Sequence, residues 1–290
     1  MKKTAAYIFS ILICGLSLNL FAVEWPQEEI SEEAIVSNFA QNIGGHLSTS
    51  IIFADPAEVK AVKDGKILIV ISDIEDDSEF FPSTLGSSVI LSHEDGLISV
   101  YSNLDRISIN ENIGNKTKLE EGEVIGETGN SGWQKARSNL EFQIIDTQKS
   151  TAINPKILLP RTENEKEYSL NGIVLENKDG TIYDLKENKI FPSGQYKAYH
   201  TRNSIAAPYK ITAAINGVIV DEISFDTIGI QNGKLYVTGK KQYDSTDIFP
   251  DENRILSGEF MLTPGKSTLT LTVENFSGKQ KQVNYTLSVY

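Results

Sequence analysis

VILSHEDGLISVYSNL, Val89 to Leu104, is the stretch whose reading decides the fold of the first half of this chain. Two β-rich runs flank Glu94-Asp95-Gly96, an acidic turn ending in glycine, and that combination is a strong hairpin signal. Working upstream, EVKAVKDGKILIVIS (Glu58 to Ser72) turns at Asp64-Gly65 and runs on as an apolar strand. Downstream, LEEGEVIGETGNSG (Leu119 to Gly132) places turns at Gly122, Gly126, Gly129 and Gly132, and SNLEFQI (Ser138 to Ile144) supplies a further strand before Asn154-Pro155. Residues Glu24 to Ala40 read as a short helix or an extended arm. The pattern is that of an antiparallel sheet domain with little helix.

Around Leu159 the composition changes. LLPRTENEKEYS is charged, interrupted by Pro160 and poor in apolar residues, as expected of a linker. Beyond it come LNGIVLE, YKITAAINGVIVDEISFD with a turn at Asn216-Gly217, KLYVTGK, ILSGEFMLT, STLTLTVEN and QVNYTLSVY. Strands of that length, with turns about every ten residues, point to an immunoglobulin-like sandwich. The expected organisation is residues 1–22 a signal peptide, 23–43 an N-terminal arm, 44–160 a first domain, 161–168 a linker and 169–290 a β-sandwich, making the protein all-β.

The opening MKKTAAYIFSILICGLSLNLFA has two lysines, an apolar run and a terminal alanine, the layout of a secretory signal cleaved near Ala22. An uncleaved anchor is the alternative. Secretion, to a periplasm or cell envelope, is the expected address. The single cysteine, Cys14, falls inside the leader, so a cleaved chain has no disulfide. A net charge of -12 disfavours nucleic acid as a partner, and insertion into a membrane after cleavage is not expected.

The order VILSHEDGLISVYSNL, LEEGEVIGETGNSG, SNLEFQI and Asn-Pro resembles that of the LytM and lysostaphin-type peptidoglycan endopeptidases, a zinc metallopeptidase family built on a duplicated hybrid β motif. The Glu-Gly-x-x-Ile-Gly hairpin also occurs in lipoyl and biotinyl carriers. No Met-Lys-Met or Asp-Lys-Ala attachment sequence is present, which argues against a prosthetic-group carrier.

The resemblance implies a site whose chemistry this sequence does not keep. The family's Tyr-x-His-Leu catalytic histidine falls on Asn103, and its His-Leu-His pair, one catalytic base and one zinc ligand, falls on Asn139 and Glu141. The family's His-x-x-x-Asp ligands fall on Ser48 and Ile52, or on His46 and Ser50 in a register shifted by two. A hydrolytic zinc needs three imidazole, thiolate or carboxylate ligands and an open position. An asparagine amide is a poor zinc donor and cannot accept a proton near neutral pH. The chain therefore reads as a pseudoenzyme with no catalytic residues, no metal and no cofactor. Its groove, lined by Tyr101, Asn103, Trp133, Asn139 and Glu141, is expected to bind peptidoglycan, a cell-wall hydrolase or another envelope protein. Trp133 is read either as a platform for a sugar ring or peptide, or as a plug under its loop. The alternatives are an active wall metallopeptidase with an atypical metal site, and an envelope scaffold.

Other features receive plainer readings. The acidic stretch Ser72 to Ser88 does not follow calcium-loop spacing and reads as a flap pinned by Phe80 and Phe81. His93 reads as a hydrogen-bonded hairpin residue, and His200 as a surface or structural one.

Overall fold

The computed structural model describes residues 23–28, 33–54, 56–72, 83–134, 138–161, 165–203 and 206–290. The signal peptide and the flap residues Phe80 and Phe81 lie outside the described residues. Strand dominates what is described, as the turn spacing predicts.

In the first unit the elements used below are β1 (Ile35–Ser37), β2 (Ile51–Phe53), β3 (Glu58–Lys60), β4 (Gly65–Ile71), β5 (Ser88–Ser92), β6 (Leu97–Ser102), α1 (Arg106–Ile113), β7 (Lys118–Leu119), β8 (Val124–Glu127), β9 (Leu140–Asp146) and β10 (Thr151–Ile153). Strands β5 and β6 form the hairpin of the opening stretch, closed by a 2.9 Å bond from His93 N to Leu97 O with Gly96 at φ 83°. That angle suits glycine, which has no Cβ to clash. Strand β9 pairs along β6 on one edge, and its other edge is shared by β2 and then β10.

Because side chains alternate across a sheet, adjacent rows face opposite ways. Val89, Tyr101, Phe142 and Ile51 form one row across four strands, and each is fully buried. The next row, Ser102, Glu141 and Ile52, turns to the other face. Tyr101 therefore belongs to the core: its ring lies 5.3 Å from that of Phe142, its hydroxyl accepts a 2.8 Å bond from Val62 N, and burial pushes its ionisation upward. Burying a side chain of this size contributes about 1.5–3 kcal/mol.

The segment expected as an arm is built into this unit. Strand β1 pairs with β2, Val23 is buried, Trp25 meets Phe53 edge-on at 6.1 Å, and Glu24 N donates to Val62 O. Of the helix or extended alternatives for Glu24 to Ala40, the described residues take the extended one.

The second unit contains β11 (Val174–Asn177), β12 (Gly194–Thr201), β13 (Lys210–Ile215), β14 (Val218–Gln231), β15 (Lys234–Thr238), β16 (Arg254–Leu262), β17 (Gly265–Glu274) and β18 (Gln280–Val289). One layer runs β18-β17-β13-β14 with β15 beyond, and the other β11-β12-β16. Leu175, Tyr196, Ala198 and Phe260 of the second layer join Ala213, Leu269, Leu271 and Leu287 of the first in one buried cluster. The turn between β13 and β14 has Asn216 at φ 51° and Gly217 at φ 80°, both positive, as a two-residue hairpin turn requires.

The two units share backbone pairing. Strand β14 is long enough to pair with β13 over its first half and with β10 past it, Ala152 opposite Ile228 and Ile153 opposite Thr227. Asn154, 2% exposed, fixes the seam: its backbone N donates to Asp226 O at 2.8 Å and its Nδ2 to Phe225 O at 3.0 Å. Ile144 and Leu159 fall in the same buried cluster as Ile211, Phe225 and Ile228. Part of the expected linker is docked as well, since the Glu165 carboxylate accepts from Phe276 N and Ser277 N and Tyr168 is buried. A continuous sheet replaces the expectation of two cores joined only by a solvated linker.

Candidate functional site

The outward face of β9, the end of β6 and the loops 83–87 and 129–134 meet at the positions that the sequence singled out. Asn103 sits just past β6 with φ 65°, a left-handed conformation that asparagine tolerates better than most residues. All of its groups are engaged. Its N donates to Leu85 O and its O accepts from Gly129 N; Nδ2 donates to Gly129 O (3.0 Å) and Asn139 O (2.8 Å), while Oδ1 accepts from Gly132 N (2.8 Å). Asn103 is a staple holding three backbone segments together. The close approach it secures leaves no room beside Gly129, where a Cβ would lie 2.3 Å from the Leu104 carbonyl carbon.

Glu141 is the carboxylate of the site. Ser50 Oγ donates to its Oε1, and Trp133 Nε1 and Gln134 Nε2 both donate to its Oε2, each at 2.8 Å. Asn139 Nδ2 donates to Gln134 Oε1 at 2.9 Å, linking the second asparagine to the same network. Ser48 Oγ reaches Ser50 O at 3.2 Å, and Ile52 lies directly opposite Glu141 across the β2–β9 pair. Ser50, from the shifted register, is thus the upstream residue that touches Glu141, while His46 is exposed.

Of the five residues expected to line a groove, four are buried: Tyr101 at 0%, Asn103 at 1%, Asn139 at 3% and Glu141 at 8%. Tyr101 faces the core, and Asn103 is committed to its loops. Trp133, at 49% exposed, is the member of the set that presents a face to solvent, with its indole edge held by Glu141. Gln134 was not singled out by the sequence reading, and its neighbour Trp133 was the nearest signal.

The other histidines are structural. His93 Nδ1 donates to Asp64 O at 2.7 Å and Nε2 lies 2.9 Å from Ser99 Oγ. His200 is fully buried between Tyr168 Oη (2.9 Å) and Ser257 Oγ (2.7 Å), and burial pushes it down to about 3; it is not a surface residue.

Comparison with known proteins bears on this geometry. The model of peptidase family M23 matches residues 44–155. Those residues are an M23 domain. A second family model matches residues 167–290. An uncharacterized protein of Treponema pallidum (strain Nichols) is 32% identical over 127 residues, 41% of this chain and 84% of its own length. A zinc containing peptidase from Vibrio cholerae is similar at 19% identity and a TM-score of 0.33, over 42% of this chain and 35% of that one. The complex of SpoIIIAH and SpoIIQ is similar at 22% identity and a TM-score of 0.34, over 46% of this chain and 96% of that one.

The M23 family implies a zinc ion, and the residues present do not fit one. Glu141 and the exposed His46 are the strong donors among Asn103, Asn139, Glu141, Ser48, Ile52, His46 and Ser50, short of the three that a hydrolytic zinc needs, and the Glu141 oxygens already accept three hydrogen bonds. Neutral amides and hydroxyls do not compensate for missing imidazoles. Among the described residues no group of three or more histidine, cysteine, aspartate and glutamate side chains is placed to hold a metal.

Proposed function

We propose that this protein is a secreted, non-catalytic member of the M23 fold that binds peptidoglycan or an envelope protein and through that contact regulates a cell-wall hydrolase. The observation that carries the reading is the use made of the family's chemical positions. Asn103 spends its amide on holding loops, Asn139 gives its Nδ2 to Gln134, and Glu141 is held by Ser50, Trp133 and Gln134, which supports a site built as a rigid surface rather than around an ion. A rigid aromatic face at its rim suits stacking on a sugar ring or a peptide. Fold alone does not assign this role, which belongs to the site. The scaffold form of the proposal is favoured by the β10–β14 seam, which fixes the two units against each other.

The mature protein is expected to contain no stoichiometric zinc and to leave peptidoglycan uncleaved. It is expected to sediment with purified sacculi, or to retain a protein from envelope extract, and to lose that contact on Trp133→Ala while still unfolding in one cooperative transition, lowered by about 1–2 kcal/mol for the hydrogen bond to Glu141 that is removed. One zinc per chain after dialysis, with chelator-sensitive hydrolysis, overturns the reading.

A further inference from the structure

At the centre of the site, Gln134 is held as a ligand is held. Its Nε2 donates to Glu141 Oε2 at 2.8 Å and its Oε1 accepts from Asn139 Nδ2 at 2.9 Å, so both ends of one carboxamide are gripped. The acid dictates the polarity of the chain of bonds. A carboxylate oxygen only accepts, so the Gln134 amide turns its nitrogen to Glu141; its oxygen then faces Asn139, which answers with its own nitrogen. Asn139, in an isolated bridge just before β9, and Glu141 are two residues apart, the spacing that puts two side chains on one face. In a primary carboxamide one N–H and the carbonyl oxygen share an edge, which two such neighbours reach together. In a trans peptide bond the N–H and C=O point opposite ways, and the same pair does not reach both.

The chain's own occupant leaves the site unfinished. With its nitrogen given to Gln134, Asn139 keeps an Oδ1 that is buried without a partner, and Ser102 Oγ, on the residue directly opposite Glu141 across the sheet, is buried without one as well. Buried polar atoms left in that state are costly and uncommon. Gln134 itself is half-buried and comes from the loop 129–134, whereas Glu141 belongs to β9. The gripping pair is thus anchored in the sheet framework, and the carboxamide between them is brought by a loop.

We infer that Asn139 and Glu141 form a subsite for the primary carboxamide of a bound ligand, either a glutamine or asparagine side chain or an amidated carboxyl group, and that Gln134 fills it in the free protein. A carboxylate in the same place meets Glu141 with like charge and brings no N–H, so the subsite discriminates amide from acid. An occupant on the same chain competes at a high effective concentration, which weakens capture until it is displaced. The inference rests on the non-catalytic binding role proposed above and names the chemistry that the surface takes.

The test titrates two pairs of probes into the 15N-labelled full mature chain: acetyl-Ala-Gln-Ala against acetyl-Ala-Glu-Ala, and acetyl-Ala-Ala as its C-terminal amide against its free acid. The Trp133 indole N–H, bonded to the same Glu141 oxygen, reports occupancy. In Gln134→Ala a carboxamide probe is expected to bind about tenfold or more tightly than in the unaltered chain, and about tenfold or more tightly than its acid. The pair that shows the preference tells a side chain from an amidated carboxyl. Glu141→Gln, whose amide donates as well as accepts, is expected to erase the preference; if that variant does not fold, the comparison within Gln134→Ala still decides. Equal binding of acid and carboxamide by Gln134→Ala, no gain over the unaltered chain, or no shift of Trp133 with any probe overturns the inference, and the proposed function survives it where sacculi or an envelope protein are still retained. A carboxamide preference in a chain that retains neither upholds the subsite and overturns the wider role instead.

Discussion

Asn103, the position that the sequence resemblance sets against a catalytic histidine, does mechanical work in this structure. Replacing it with glycine keeps the left-handed backbone but removes the bonds to Gly129 O, Asn139 O and Gly132 N. Leaving buried partners unmade costs about 1–3 kcal/mol per group, so Asn103→Gly is expected to lower stability by roughly 2–4 kcal/mol in urea denaturation. A bulky side chain at Asn103 is expected to cost more, since the residue is buried among three segments. His200 carries a pH signature. Held neutral by burial with its ionisation at about 3, it takes up a proton on unfolding below its ordinary value of 6.5. The unfolded chain then binds more protons, and stability falls as pH drops from 6.5 toward 3, by up to about 1.4 kcal/mol per pH unit from this group. His200→Gln is expected to flatten the profile of unfolding free energy across that window, whatever it does to stability at pH 8. Identity at these positions was legible in the sequence, but facing was not. Tyr101 and Ser102 are neighbours in one strand, and which of them meets the core follows from register against β9, which a local pattern does not specify.

At the scale of elements, the β5–β6 hairpin was readable because two β-rich runs and an Asp-Gly turn agree, and local agreement of that kind is what fixes a hairpin. The same holds for β13–β14 around Asn216-Gly217. The pairing of β10 with β14 was not readable, because the two lie over sixty residues apart and three residues of β10 carry no signal for their partner. The sequence did mark Asn154, through its Asn-Pro pair, without showing what the side chain holds. Asn154→Ala removes the bond to Phe225 O and the cap on Lys156 N, and is expected to cost about 1–3 kcal/mol. If the seam matters as described, amide exchange should quicken at Thr151–Ile153 and Asp226–Ile228 in that variant before it quickens elsewhere.

For the whole molecule, shared pairing and a shared buried cluster predict one cooperative transition rather than two. Calorimetric and van't Hoff enthalpies of the mature chain are expected to agree, with Trp25 and Trp133 emission following the same midpoint as far-UV circular dichroism. A fragment ending at Arg161 would leave β10 and Leu159 without their cover, and is expected to aggregate or to melt well below the full chain, measured at equal concentration. The seam also sets the arithmetic of recognition. Flexibly tethered modules engage a second epitope at an effective concentration governed by tether length, which falls as the tether grows. Here the tether contributes almost nothing to that distance, because a ladder of backbone bonds sets the spacing between Trp133 and the outer strands of the sandwich. A partner whose epitopes match that spacing gains avidity close to the maximum, and one whose epitopes are a few ångströms out gains none, so the fold acts as a gauge of its target's geometry.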